Sequence, residues 1–113
     1  MSASVFKFST EGDGAIAATA TVPIGESYRL ASVSCRFSAA PTTSENFTIT
    51  LNANAGATFD VLLYSLDPAA AATYSIMYYP DEEMFLEGGD AIDVAFANTD
   101  NRHWAVQITA KVV

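Results

Sequence analysis

Six carboxylates fall within thirteen residues of the stretch PDEEMFLEGGDAIDVAF (80–96): Asp81, Glu82, Glu83, Glu87, Asp90 and Asp93, with no basic side chain among them. Two chemistries use such residues. Calcium is held when about six to eight oxygens converge from loops, and Asp81, Glu83, Glu87 and Asp90 are the candidates to supply them, with Glu82 beside them. The register D-x-[DN]-x-[DN]-G is missing, so this case rests on charge density and not on spacing. Paired carboxylates also hydrolyse glycosides, but across a cleft for which a chain of 113 residues has little room. A third reading needs no ligand. Pro80 ends a strand, 81–83 form a solvated corner, and Met84, Phe85 and Leu86 supply apolar anchors. Gly88 and Gly89 then give a turn with positive φ, and Asp90 launches a strand carrying Ile92, Val94 and Phe96. Asp93 points outward from that strand, available to a base on a neighbouring strand or subunit. This reading accounts for every residue, and no metal or cofactor is expected.

Other reactive groups are sparse. His103 is the one imidazole, beside Trp104 at the start of the last apolar run, and no G-x-S-x-G elbow accompanies it. Cys35 is the one cysteine, so no intramolecular disulfide, Cys-type zinc site or redox pair can form; it reads as a small buried hydrophobe. Glu87-Gly88-Gly89-Asp90 lacks the spacing and the lysine of a phosphate loop. No catalytic residue is assigned, and the chain is expected not to be an enzyme.

Charge narrows the partners. The net charge of −8 sets 13 acids against Lys7, Arg29, Arg36, Arg102 and Lys111, which are scattered along the sequence. Nucleic acid is therefore not an expected ligand. No run approaches the ~20 apolar residues of a membrane helix, and the N-terminus lacks a basic region followed by a long apolar stretch, so a soluble product made in a cytoplasm is expected. Asn46-Phe47-Thr48 matches a glycosylation sequon but reads as ordinary strand. Charged residues amount to only 16%, which favours a surface that is neutral or covered in an assembly.

The elements that must position these residues alternate with period two. NFTITLN sets Phe47, Ile49 and Leu51 against Thr48, Thr50 and Asn52. HWAVQITAKVV sets Trp104, Val106, Ile108, Ala110 and Val112 inward, and YRLASVSCRF sets Ala31, Val33, Cys35 and Phe37 inward. FDVLLYS and TYSIMYY are apolar on both faces, which suggests central or covered strands. AIAATATV and SVFKF complete the list, with Gly, Pro, Asn and Asp turns between. Asp67-Pro68 before four alanines predicts a single helical turn. The pattern predicts one domain, residues 1–113, an all-β antiparallel sandwich, jelly-roll-like, of seven to eight strands, with the first ten or so residues a possible arm. Tyr74, Tyr78, Tyr79 and Phe85 form an aromatic-dense patch. With Asp93 they are the interface candidates, and a sugar-stacking face is the competing use.

The segments LEGGDAIDVAFANTDNRHWAVQITAKV (86–112) and SAAPTTSENFTITLNANAG (38–56) resemble the small all-β structural proteins encoded among virion genes of tailed phages. That resemblance implies a capsid decoration (cement) protein, a homotrimer on the capsid surface that clamps neighbouring major capsid protein subunits. A carbohydrate-binding or adhesin module of a phage tail or fibre is the alternative. No catalytic residue is implied.

Overall fold

In the computed structural model, which describes residues 5–112, the alternating segments form nine strands: β1 (Val5–Gly12), β2 (Ile16–Thr21), β3 (Ser27–Phe37), β4 (Phe47–Asn52), β5 (Val61–Leu66), β6 (Ser75–Tyr78), β7 (Phe85–Glu87), β8 (Ala91–Phe96) and β9 (Trp104–Val112). They pair antiparallel in two sheets. The first has the order β1-β9-β3-β6, with β7 also on β3; the second has the order β2-β8-β4-β5. The chain crosses repeatedly between sheets and ends beside its own first strand, which is the two-Greek-key order of a jelly roll. Nine strands stand where seven or eight are predicted because β6 and β7 share one position. Each pairs with part of β3, and the Pro80 corner interrupts them.

The core lies between the sheets. Phe37, Phe47 and Phe96 pack with ring centroids 5.4 and 6.4 Å apart, surrounded by Ile49, Ile92, Val94, Val106 and Ile108. Fully burying one such side chain stabilises by about 1.5–3 kcal/mol. The alternation in β4, β8 and β9 points as expected, except that Val112, at the end of β9, is exposed.

Three expectations are corrected. In β3 the pairing with β9 shifts between Leu30 and Ser32, so Leu30 is buried where Ala31 was expected. A bulge adds one residue and flips the phase of all that precedes it. Residues 5–10 are not an arm, since β1 pairs with β9 along its whole length; residues 1–4 of that segment lie outside the described residues. The doubly apolar segments are edge strands and not central ones: β5 closes one side of the second sheet and β6 one side of the first.

The helical turn forms as predicted over Pro68–Ala71 (α1). Asp67 caps it, accepting hydrogen bonds from the amides of Ala69 and Ala70, and Ser44 donates to its other carboxylate oxygen. The Ser44 hydroxyl and these amides hold the Asp67 carboxyl below its ordinary pKa.

Candidate functional site

The acidic stretch resolves into separate local tasks. Asp90 accepts from the amide of Asn54 at 2.9 Å and from that of Glu87 at 3.0 Å, closing the β7–β8 turn and tying it to the β4–β5 loop. Glu83 pairs with Arg29 at 3.0 Å. Asp81 lies close enough to Tyr78 to add its charge to the burial that raises the phenol's pKa. Asp93 accepts from Thr19 Oγ1 at 2.8 Å and Asn52 Nδ2 at 3.3 Å on the outer face of the second sheet, so its acceptors are used by neighbours in its own sheet. Among the described residues no three His, Cys, Asp or Glu side chains group as metal ligands. Asp81, Glu83, Glu87 and Asp90 are therefore not gathered around one point. Of the two glycines, only Gly89 has positive φ (91°); Gly88 is required for space.

His103 is exposed, with its Nε2 3.8 Å from Glu11 Oε1. Cys35 is buried against the core, and burial pushes its thiol up to about 12, far from a reactive thiolate.

The strand register brings together what sequence separates. Val33, Cys35, Val106 and Ile108 point into the core, so the alternate positions of β1, β9, β3 and β6 form the outer face of the first sheet. One transverse row runs Phe85, Arg29, Lys111, Val5, and another runs Met77, Ser34, Gln107, Ser9. Lys7 and Arg36 lie on the same face, opposite Thr109 and Ala105. Four of the five basic residues thus share one face, although they look scattered in sequence. Tyr79 (62% exposed) and Phe85 (55%) stand at its border, and the Arg36 guanidinium covers the ring of Tyr74 at 5.5 Å. Tyr78 points inward and packs on Tyr64, centroids 5.5 Å apart. A shallow cleft of about 310 Å³ beside this face is walled by Arg29, Lys111 and the acidic corner 81–83.

The outer face of the second sheet differs. Its rows run Ala17, Ala95, Thr48, Ser65 and Thr19, Asp93, Thr50, Leu62, and Asp93 is their one charge. Interfaces favour Tyr, Phe, Met and Arg over Ser, Ala and Asp, so the first sheet's outer face is the candidate binding surface. Tyr74, Tyr79 and Phe85 lie on or beside it. Tyr78 and Asp93 do not, and Met77, Arg29 and Arg36 are members that sequence reading did not single out.

Loops at the opposite end are tied by another aspartate. Asp100, between β8 and β9, accepts from the amides of Thr43 (2.9 Å) and Thr42 (2.7 Å) and from both threonine hydroxyls. Those donors, the Thr43 amide foremost, lower its carboxyl to about 2. A depressed folded-state pKa means that the stabilisation is complete above the ordinary carboxylate pKa and is lost as pH falls toward 2. Wild-type protein should lose more stability than the Asp100→Asn variant between about pH 4 and pH 2, read from thermal melts; identical acid limbs would contradict the assignment.

No protein-family model and no curated protein matches the chain. Among solved structures, the nucleoplasmin-like N-terminal domain of Drosophila FKBP39 aligns over 100% of this chain and 95% of that one, with 12% identity and a TM-score of 0.46. A serine protease of Aeromonas sobria aligns over 93% of this chain but 27% of that one, with 10% identity and a TM-score of 0.37. Neither likeness is strong enough to assign a relationship.

Proposed function

We propose that this chain is a structural virion protein of a tailed phage, a capsid decoration protein that seats the outer face of its first sheet on the major capsid protein and has no catalytic role. One observation carries the docking: Met77, Tyr79, Phe85, Arg29, Arg36, Lys7 and Lys111 gather on or beside one sheet face, while the strand rows of the opposite face are mainly threonine and alanine, with Ser65, Leu62 and Asp93, and contain no aromatic and no basic residue. Tyrosine and arginine dominate the energetics of protein interfaces because each buries large area and still satisfies directional polar contacts. The phage assignment adds the family resemblance of the 38–56 and 86–112 segments. In this role the protein bridges capsid subunits, so opening the shell requires breaking extra buried contacts. A sugar platform is less well served, because Tyr78 is packed against Tyr64 and one face of the half-exposed Tyr74 ring is occupied by the Arg36 guanidinium.

Co-sedimentation with capsids lacking the protein tests this. Tyr79→Ser and Arg29→Glu should each weaken capsid binding by roughly 30-fold, equivalent to about 2 kcal/mol, whereas Ala95→Lys on the opposite face should leave it unchanged. Absence of capsid binding by the wild-type chain, or binding lost only with Ala95→Lys, would overturn the proposal.

A further inference from the structure

We infer that the protein surface seated on the first sheet's outer face is acidic, its carboxylates taken by Arg36, Lys7 and Lys111; the inference rests on the docking reading above and adds the partner's chemistry. The chain has 13 acids to 5 bases, more than enough to pair every base internally. Among the described residues, however, Arg29 is the one lysine or arginine with a carboxylate partner, Glu83 at 3.0 Å, and Arg36, Lys7 and Lys111 form no ion pair. Two of these are set against like charge instead. Lys111 lies directly across the β3–β9 ladder from Arg29, and Lys7, opposite Thr109, is the diagonal neighbour of Lys111 on the β1 side. Like charges facing each other across strands destabilise a sheet, so the cluster weakens the isolated chain and an anion laid over it removes that cost.

A second foothold is a shallow cleft of about 330 Å³ over β1, β9 and β3. Arg36 lines it, steadied by the Tyr74 ring 5.5 Å from its guanidinium, together with the hydroxyls of Ser34 and Ser9 and the amide of Gln107. A guanidinium among hydroxyl and amide donors suits a carboxylate. The cleft's own carboxylate, Glu11, stands on the far side of β9, in the row Glu11, Ala105, Arg36, and faces His103 at 3.8 Å. Spacing and surroundings select the occupant. Along β9 the bases stand level with residues 105, 109 and 111, a span of about 20 Å. A protein surface can place carboxylates at these points and still offer apolar groups to Met77, Tyr79 and Phe85. A nucleic-acid strand carries its charge unbroken along the backbone, and would run into the acidic corner 81–83 beside Arg29. A second copy of the chain brings the same net charge of −8.

Fluorescence anisotropy of a labelled peptide alternating glutamate with serine, titrated with the full chain at low salt, tests this without capsids. The peptide should bind, and added salt should weaken it. Arg36→Gln and Lys111→Gln should each weaken it about two- to five-fold, the range that exposed ion pairs allow, whereas binding of a lysine–serine peptide, drawn to the acids elsewhere, should not fall in either variant. Lys111→Gln should melt no lower than wild type, because it removes the repulsion from Arg29; a purely structural lysine would lower it. Binding to capsids lacking the protein should fall with salt and with the same two variants. No binding of the glutamate peptide, tighter binding of a single-stranded oligonucleotide, or self-association in sedimentation velocity that both variants abolish would overturn the inference. Peptide binding without capsid binding overturns the docking reading alone, and capsid binding indifferent to salt and to both variants overturns this inference alone.

Discussion

Replacing Gly88 by alanine should destabilise the protein by about 2–4 kcal/mol, enough to remove a large part of the stability of a domain this size. A Cβ there would lie 2.8 Å from Gly25 N, 2.8 Å from Ile24 Cα and 3.0 Å from the carbonyl oxygen of Pro23. All three are backbone atoms, so no side chain can swing aside. Moving the backbone breaks a clamp, because on either side of the contact Gly89 donates to Val22 at 2.9 Å and Val22 donates to Asp90 at 2.8 Å. Overpacking costs about 1–3 kcal/mol, and each strained bond adds up to about 1. Gly89→Ala makes the contrast. Its φ of 91° disfavours any Cβ, but the two atoms it would meet most closely, Asn54 Cγ at 2.5 Å and Oδ1 at 2.6 Å, can rotate away, leaving only the contact with Asn54 Cβ at 2.9 Å to be met by a backbone shift. Urea unfolding should place the Gly88→Ala midpoint below that of Gly89→Ala with equal slopes; a Gly88→Ala midpoint near wild type would show that the two turns are not clamped.

Much of this architecture is legible in the sequence, and the failures have identifiable causes. Periodicity marks β4, β8 and β9 because each has one wet face and a regular register. It misleads in β3, where the single extra residue at Ala31 leaves composition unchanged and reverses facing. It misleads again at VLLYSL and SIMY. Apolar residues on both faces describe a covered strand and an uncovered, interaction-prone edge equally well, and only the pairing order separates them. The acidic turn is read as corner, anchor, turn and strand, but of its three apolar anchors Leu86 is buried, Met84 packs at the core margin and Phe85 is 55% exposed, because Phe85–Glu87 is a strand of its own whose alternate residues face outward; Gly88 serves space where positive φ is expected. The basic face was missed because Lys7, Arg29, Arg36 and Lys111 are far apart in sequence and converge only through antiparallel register. Their shared outward parity within β1, β3 and β9 was the available signal, and the β3 bulge scrambles it.

Asn98 was also missed, since a lone asparagine after a strand reads as an ordinary loop, yet its substitution is expected to have the other large effect. It is the one polar side chain fully buried among the described residues. Its Nδ2 donates to the carbonyl oxygens of Asp13 (3.2 Å), Gly14 (2.8 Å) and Arg102 (2.9 Å), and its Oδ1 accepts from the Arg102 amide at 3.1 Å. Trp104 Nε1 donates to the same Gly14 oxygen at 2.8 Å, so the β1–β2 turn and the β8–β9 loop hang on one node beneath the core tryptophan. The backbone at Asn98 is left-handed (φ 53°), a conformation that Asn and Asp both tolerate. Asn98→Asp therefore keeps shape and backbone preference but replaces a donor with a buried charge facing three carbonyl oxygens. A cost of about 3–5 kcal/mol follows at neutral pH. The penalty depends on ionisation: in the folded variant the introduced carboxyl has its pKa raised above the unfolded value. The charge part of the loss is thus absent below the ordinary carboxylate range and sets in as pH rises through the raised value, while the lost amide donor leaves a smaller cost at every pH. Asn98→Ala, which is neutral but loses the same bonds and pays for left-handed backbone, should show the loss without this pH dependence. Paired urea titrations at acidic and neutral pH separate the two variants, and an Asn98→Asp protein as stable as wild type at neutral pH would show that the node does not hold the loops.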